Sequence, residues 1–381
     1  MKNITVLGAG MVGGAIAADM AANHRVTLAD YSQDALDKAK ARYPGLETRL
    51  LDVTDTGRLQ KAIRNADLVI SAVPGSLGFK TLHTIISAGK NVVDISFTLE
   101  NPLDLHELAL KKDVTAIVDC GVAPGMDNIL LGYHNERLTI SEFVCLVGGL
   151  PKIRKWPFEY KAPFSPADVI EEYTRPARYV ENGRLIVRKP LTDPELVEFE
   201  RAGTLEAFNT DGLRTLIQTM PHIPNMKEKT LRYPGHSEYI RVLKESGFFD
   251  SKKIRIGQNT EVSPLEFTAG ILFKEWKLED DEEEITVMRV VIKGSNKEGR
   301  RETITYDLFD EYCHNTRVSS MARTTGYTAT AAANMLLDGV FREKGVIPPE
   351  NLCREQQCFE YLMDYQKERN IVYQKRIERD D

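Results

Sequence analysis

The sequence has few cysteines, no long hydrophobic run and little excess charge of either sign. Its five cysteines are odd in number and show no CxxC spacing, which argues against a disulfide framework and against a zinc site. No apolar run is long enough to cross a membrane, and no secretory signal is recognised, so we expect a cytoplasmic protein. Fifty basic and 56 acidic residues give a net charge of −6, which indicates neither a nucleic-acid partner nor a basic membrane-binding surface.

One acidic run, from Glu279 to Glu284, interrupts this mixed charge pattern. We expect it to form a solvated loop, and we predict no metal site. With 381 residues, 42% of them hydrophobic, the chain can bury a sizeable core in two domains.

The first thirty residues form the strongest motif. An apolar segment ends at Gly8-Ala9-Gly10-Met11-Val12-Gly13, and an alanine-rich stretch follows. Glycines in this pattern permit a tight turn, the approach of a pyrophosphate to the backbone, and close packing of a helix on a strand. The N-terminus of the helix offers free N–H groups and a partial positive charge to the phosphates. We therefore predict a dinucleotide site.

Asp30 ends the second predicted strand. A carboxylate there accepts hydrogen bonds from the adenosine ribose and repels a 2′-phosphate, which favours NAD over NADP. Asp52 and Val53 follow the third strand, beside the adenine, although Asp52 is equally suited to capping the next helix. Val73 and Pro74 follow the fourth strand, beside the nicotinamide half. The predicted cofactor-binding residues are thus Gly8, Gly10, Met11, Val12, Gly13, Asp30, Asp52, Val53, Val73 and Pro74.

Apolar strands alternate with amphipathic helices up to residue 119. This pattern predicts an α/β fold, with a doubly wound parallel sheet of the Rossmann type over residues 1–125. From Ser141 the pattern changes to hairpins, for example at Asn182-Gly183, and predicts an inserted α+β substrate and dimerisation domain over residues 126–318. Residues 319–349 are predicted to return as a helix to the first domain, and residues 350–381 to form a C-terminal tail.

Ligands of such sheets bind at the carboxyl ends of the strands. Asp94 and Asp119 follow the fifth and sixth strands, and Asp119 is the carboxylate expected beside the nicotinamide, unless it only stabilises the turn. Gly121 belongs to that turn, and Met126 opens a helix whose N-terminus is suited to an anionic group of the substrate.

Six motifs in order carry a resemblance to a known family: VLGAGMVGG, DLVISAVPG, DCGVAPGMDNILLGY, LVGGLP, TLRYPGH and MARTTGYTATAAA. They resemble the saccharopine dehydrogenase (saccharopine reductase) family, most closely its lysine 6-dehydrogenase branch. The resemblance implies a Rossmann domain, an inserted α+β substrate domain, a homodimer, and NAD(P)-linked oxidation of a C–N bond in a small amino-acid substrate.

The chain departs from the saccharopine reductase pattern at Ala123 and Val147, where those enzymes typically carry Asp and Cys, and near Thr210, where they carry a substrate-binding Arg. Arg232 and Arg323 remain as candidates for substrate carboxylates. Two cations suit an amino acid better than the triacid saccharopine, because each carboxylate needs fixed donors. We therefore expect L-lysine ε-deamination. The alternatives are saccharopine dehydrogenase proper and a carboxynorspermidine dehydrogenase-like enzyme.

Oxidation of an amine requires a general base near neutral pH. His236 is the natural candidate because its ordinary pKa lies closest to that range, although a hydrogen-bonded turn histidine is the competing interpretation. Asp119 and Asp94 are the alternative bases. A protein that kept the dinucleotide site and lost catalysis, an NAD-binding regulatory protein, is the non-enzymatic alternative.

Overall fold

The structure, a computed structural model, describes residues 1–258, 260–279 and 281–379. Its strands are β1 (Asn3–Leu7), β2 (Arg25–Asp30), β3 (Glu47–Leu50), β4 (Leu68–Ser71), β5 (Val92–Asp94), β6 (Thr115–Ile117), β7 (Thr139–Pro151), β8 (Ala177–Glu181), β9 (Arg184–Arg188), β10 (Glu195–Phe199), β11 (Gly203–Asn209), β12 (Met226–Arg232), β13 (Ile254–Arg255), β14 (Glu261–Val262), β15 (Glu284–Ser295), β16 (Arg301–Glu311), β17 (Gly345–Ile347) and β18 (Tyr373–Arg379). Its α-helices are α1 (Met11–Ala21), α2 (Gln33–Arg42), α3 (Thr56–Ile63), α4 (Gly75–Ser87), α5 (His106–Lys111), α6 (Met126–Asn135), α7 (Pro166–Thr174), α8 (Leu216–Thr219), α9 (His236–Glu245), α10 (Pro264–Trp276), α11 (Ser320–Leu337), α12 (Pro349–Leu352) and α13 (Gln356–Glu368).

The first sheet is parallel and has seven strands in the order β17-β6-β5-β4-β1-β2-β3. Every residue of β4, β5 and β6 is buried, as expected for a sheet with helices on both faces. The strand order reverses between β1 and β4, and this is where open α/β sheets bind ligands. The predicted Rossmann sheet is therefore confirmed.

The chain returns to the first domain through α11, as the sequence predicts. This helix packs on α1, and Thr330 donates a hydrogen bond to the Asp19 carboxylate of α1 at 2.6 Å. The returning segment also contributes a strand, because β17 pairs with β6 and becomes the seventh strand of the parallel sheet.

The second sheet follows the path β10-β11-β12-β7-β15-β16-β18, with β8 and β9 attached through β12. Only β12 and β7 pair in parallel along that path; the other pairs are antiparallel, in keeping with the predicted α+β domain. The predicted tail over residues 350–381 is wrong, since α12 and α13 lie in it and β18 pairs with β16. Backbone pairing with the edge strand β16 orders β18, although the side chains of β18 are largely charged and exposed.

The acidic run is only partly a solvated loop, and Asp280 lies outside the described residues. Glu284 is 1% exposed, and its carboxylate accepts hydrogen bonds from the backbone N–H groups of Ser320 and Met321 at 2.7 and 2.6 Å. It thus caps the N-terminus of α11. Within the described residues, no helix has both the length and the apolar character needed to span a bilayer, and no group of His, Cys, Asp or Glu side chains is arranged to hold a metal ion.

Candidate active site

A cavity of about 930 Å³ lies between the two sheets. The loops after the parallel strands form one wall, and β7, α7 and β12 contribute to the other. The structure brings all ten predicted cofactor-binding residues onto this cavity, namely Gly8, Gly10, Met11, Val12, Gly13, Asp30, Asp52, Val53, Val73 and Pro74.

The glycine turn has the shape that a dinucleotide requires. Gly8 has a φ of +99°, and a Cβ there would overlap the carbonyl oxygen of Ala72. A Cβ at Gly13 would overlap the carbonyl of Gly8, whereas a Cβ at Gly10 would meet open space. Among the described residues, no side chain caps the N-terminus of α1. The turn therefore offers room and free N–H groups to a pyrophosphate, and its residues fit the cofactor.

Asp30 and Asp52 both organise the backbone around the adenosine end. The Asp30 carboxylate accepts hydrogen bonds from the N–H groups of Ala9 at 2.7 Å and Ser32 at 2.8 Å. Each of its oxygens keeps a lone pair for a ribose hydroxyl. Asp52 accepts from the N–H and the hydroxyl of Thr54, and these hydrogen bonds lower the pKa of Asp52. Asp52 thus shapes the turn before α3, while Asp55 is the residue that caps this helix.

Arg232 is the predicted substrate residue that points most clearly to recognition of an anion. It lines the cavity at the end of β12 and is 2% exposed. Its Nε donates to the hydroxyl of Tyr173 at 2.8 Å, and its Nη2 donates to Glu172 Oε2 at 3.2 Å. Its Nη1 donates to the carbonyl of Leu231 at 2.9 Å. The guanidinium is therefore fixed in place, and one Nη1–H is left for a ligand in the hydrogen-bond pattern of the described residues.

His236 lies behind Arg232 and does not line the cavity. Its Nδ1 lies 2.9 Å from the carbonyl of Phe158, and since a carbonyl can only accept, Nδ1 carries the proton and donates. Nε2 then accepts a hydrogen bond from the Tyr173 hydroxyl at 3.0 Å. Burial, helped by the charge of Arg232, lowers the pKa of His236 to about 3. Both nitrogens are occupied by protein partners, the lowered pKa makes the ring a weak base, and the ring is off the cavity, so this geometry does not support the predicted general base. His236 instead holds Tyr173, which holds Arg232.

Asp119 and Asp94 are also buried behind the cavity wall rather than on it. The Asp119 carboxylate binds Arg214 from the second domain, with Oδ1 to Nη2 at 3.0 Å and Oδ2 to Nε at 3.2 Å. Asp94 accepts a hydrogen bond from the Ser96 hydroxyl at 2.8 Å. Burial raises the pKa of Asp94 to about 7, against the effect of its hydroxyl partners. The predicted role of Asp119 as a base is not supported, because its side chain forms a structural ion pair between the domains.

Comparison with known proteins agrees with this architecture. The family model described as the saccharopine dehydrogenase C-terminal domain matches residues 121–371, and the model described as the saccharopine dehydrogenase NADP binding domain matches residues 4–117. The chain belongs to the saccharopine dehydrogenase family. The two family models meet in the turn after β6, where the sequence places the seam between the domains.

Members of the saccharopine dehydrogenase family from fungi match most of the chain. The "Saccharopine dehydrogenase [NADP(+), L-glutamate-forming]" of Schizosaccharomyces pombe is 24% identical over 83% of this chain and 87% of its own length. The protein of the same name from Saccharomyces cerevisiae is 23% identical over 91% and 94%. An alpha-aminoadipic semialdehyde synthase of Arabidopsis thaliana is 29% identical over 72% of this chain, which spans 28% of that longer protein.

A solved structure confirms the fold of the whole chain. The apo saccharopine dehydrogenase (L-Glu forming) of Saccharomyces cerevisiae superposes with a TM-score of 0.79 at 21% identity and covers 99% of this chain and 100% of its own. As a member of the family that both family models identify, the protein is an amino-acid oxidoreductase of the saccharopine dehydrogenase type that binds a pyridine nucleotide. The lysine 6-dehydrogenase branch stays a prediction.

Two of the predicted substrate residues do not reach the cavity of this family member. Arg323 is held by Asp310, with Nε to Oδ2 at 3.0 Å and Nη2 to Oδ1 at 3.1 Å, and it also donates to the carbonyl of Arg369. It joins α11 to β16 and stabilises the fold. Met126 is buried below the turn, whereas Gly121 of that turn does line the cavity.

The sequence missed a set of acidic residues on the cavity wall. Besides Asp30 and Asp52, four carboxylates among the described residues line the cavity, all from the second domain: Asp168, Glu172, Asp211 and Glu228. Glu172 contacts Arg232, and Asp211 binds Arg178 at 2.8 and 2.9 Å. The available signal was the alternation of Glu228, Thr230 and Arg232 along one strand, which places all three on the same face.

Proposed function

We propose that the protein is an NAD-linked dehydrogenase that oxidises the side-chain amine of a diamino acid, with L-lysine as the substrate. The observation that carries this proposal is that Ala123, Val147 and Thr210 all line the cavity. The saccharopine reductase pattern has Asp and Cys at the first two positions and an Arg near the third. The cavity therefore has an alanine, a valine and a threonine where a saccharopine site would have ionisable side chains.

The charges on the substrate side of the cavity also favour a substrate with few carboxylates. The basic residues that line the cavity are Arg175, Arg232 and Lys277, against four carboxylates of the second domain. Arg175 contacts Glu171 and Arg232 contacts Glu172. Burial of a triacid next to these carboxylates would be opposed by repulsion and by loss of solvation.

The chemistry required of the chain is modest. The nicotinamide, when bound, accepts the hydride. Arg232 is placed to bind the substrate carboxylate, because its guanidinium is buried and held by Tyr173 and Glu172. The apolar residues Val73, Val122 and Val147 line the space between the domains; once substrate and cofactor fill this space, the electrostatic contacts made there are strengthened.

The preference for NAD is part of the proposal and departs from the names of the fungal relatives. Within the described residues, every basic side chain on the cavity comes from the second domain, and the adenosine end offers Asp30 and Asp52. A 2′-phosphate near Asp30 would meet a carboxylate instead of a cation. Replacement of Asp30 by Asn, which keeps the hydrogen bond from Ala9, should move the NAD/NADP ratio of kcat/KM toward NADP by at least about tenfold.

The deciding assay follows the reduction of NAD or NADP by absorbance with saturating L-lysine or saccharopine. Turnover with L-lysine and NAD is the expected result. Turnover with saccharopine alone would refute the substrate assignment and support the activity named for the fungal relatives. Binding of NADH without turnover of either compound would support an NAD-binding regulatory protein. The cytoplasmic location and the homodimeric state remain predictions. Sedimentation of the purified protein tests for the dimer.

A further inference from the structure

Glu228 is a buried carboxylate without a partner on the cavity wall. It lies in the middle of β12, is 6% exposed and lines the cavity. Its Oε2 has no hydrogen-bond partner among the described residues. A Cβ at Gly212 would overlap this carboxylate, so the glycine provides the space in which the carboxylate lies. The position is thus shaped for an acidic side chain.

The charged groups around Glu228 leave its charge uncompensated. The surrounding titratable groups are Asp127, Cys145, Glu172, Asp211 and Arg214. Burial, together with the charges of Asp127, Glu172 and Asp211, raises the pKa of Glu228 well above its ordinary value, and Arg214 acts in the opposite direction. Arg214 is already paired with Asp119 at 3.0 Å. A buried carboxylate in these surroundings is costly unless a cation joins it.

The second charge of the site lies on the same strand. Glu228 and Arg232 share one face of β12, and four residues of a strand span about 13 Å between Cα atoms. Both side chains line the cavity. The extended chain of lysine separates its α-carbon from its side-chain nitrogen by roughly 6 Å, as bond lengths of about 1.5 Å dictate. A diamino acid therefore fits between a carboxylate and a guanidinium at this spacing.

Glu228 and Arg232 have different neighbours. Glu228 packs against Gly212, two residues before Arg214, which binds Asp119 at the carboxyl end of the parallel sheet. Arg232 lies at the other end, among Tyr160 and Tyr173. Glu228 is thus linked through the segment from Gly212 to Arg214 to Asp119 of the first domain.

We propose that Glu228 binds the side-chain ammonium group of the substrate while Arg232 binds its α-carboxylate. Glu228 is then the residue that selects a diamino acid over an amino acid with an apolar side chain. This inference rests on the proposed function.

The test compares Glu228→Gln with Glu206→Gln. The first variant keeps the size and removes the charge. The second removes another carboxylate with an unpartnered buried oxygen, on the neighbouring strand β11, where Glu206 stands opposite Arg232 in the strand register and does not line the cavity. Calorimetry gives the Kd of L-lysine and of L-norleucine, which has the same chain length without the amine. We expect Glu228→Gln to weaken L-lysine about ten- to a hundredfold and to leave L-norleucine unchanged. Glu206→Gln, which lies opposite Arg232, should change the Kd of both ligands by the same factor, because both present an α-carboxylate to Arg232.

The outcomes separate this inference from the proposed function. If the wild-type protein neither binds nor oxidises L-lysine, the proposed function fails. If the wild-type protein uses L-lysine and Glu228→Gln binds it equally well, only the role of Glu228 is overturned. Should Glu228→Gln not fold, Gly212→Ala displaces the carboxylate without removing it, and a selective loss of L-lysine over L-norleucine is again expected. Equal loss of both ligands would contradict the role.

Discussion

Replacement of Asp119 by Asn should destabilise the protein strongly because it breaks a buried ion pair between the domains. The two side chains are 2% and 5% exposed, and they are joined by hydrogen bonds of 3.0 and 3.2 Å. Arg214 also donates to the carbonyl of Thr98, so it cannot leave the interior without losing further contacts. Removal of one charge from such a pair costs about 3 to 5 kcal/mol. Asn tolerates the backbone φ of 50° at this position, so the loss reports on the charge.

The assay is urea unfolding at pH 7, with the free energy of unfolding compared between the wild type and Asp119→Asn. The double variant Asp119→Asn/Arg214→Leu is the control, because it leaves no uncompensated charge and should recover most of the loss. A loss below about 1 kcal/mol in the single variant, together with a fall in kcat of several orders of magnitude, would refute this reasoning. It would restore Asp119 as a catalytic group.

Three further variants test the remaining assignments. Because burial raises the pKa of Asp94 to about 7, the folded state holds a proton that the unfolded state releases near pH 4. Wild-type stability should therefore fall by about 4 kcal/mol as the pH rises through that window, and Asp94→Asn should abolish the dependence in urea unfolding. His236 gives stability the opposite pH dependence. Because its pKa in the folded state is about 3, the folded state loses stability as the pH falls below about 6.5. His236→Gln should remove this loss and leave the apparent pKa values of kcat/KM unchanged. Glu284→Ala should cost about 1 to 2 kcal/mol through loss of the cap on α11. Ala at the half-buried neighbour Glu283, whose carboxylate pairs with Lys152 near the surface, should cost less than that.

The cofactor half of the site was predictable because its constraints are local. Gly8 needs a positive φ and close approach to Ala72, and Gly13 needs close approach to Gly8. Only glycine meets these requirements, so glycines at these positions in the sequence predict the turn. Asp30 was predictable for a similar reason, since it follows its strand directly and its first contact, the N–H of Ala9, belongs to the same motif.

The substrate half was less predictable because its charges are assigned by contacts between distant segments. Asp119 and Arg323 have the right residue types in the right motifs, yet their partners are Arg214 and Asp310, which come from other parts of the chain. His236 is neutral because of its burial against Trp276 and Arg232. Nothing in the local sequence specifies these partners. The strand β18 escaped prediction for the same reason, as its polar sequence acquires a partner only from β16.

The pattern of paired and unpaired charges indicates what the substrate has to bring. The pyrophosphate of a dinucleotide adds negative charge at one end of the cavity, where the N-terminus of α1 compensates it. At the other end Arg232 already shares its charge with Glu172, and Glu228 has no cation of its own among the described residues. A ligand with only carboxylates would therefore increase the imbalance. A ligand with one carboxylate and an additional ammonium group supplies a partner for both Arg232 and Glu228. The charge of the substrate side chain, rather than its length, should therefore dominate selectivity.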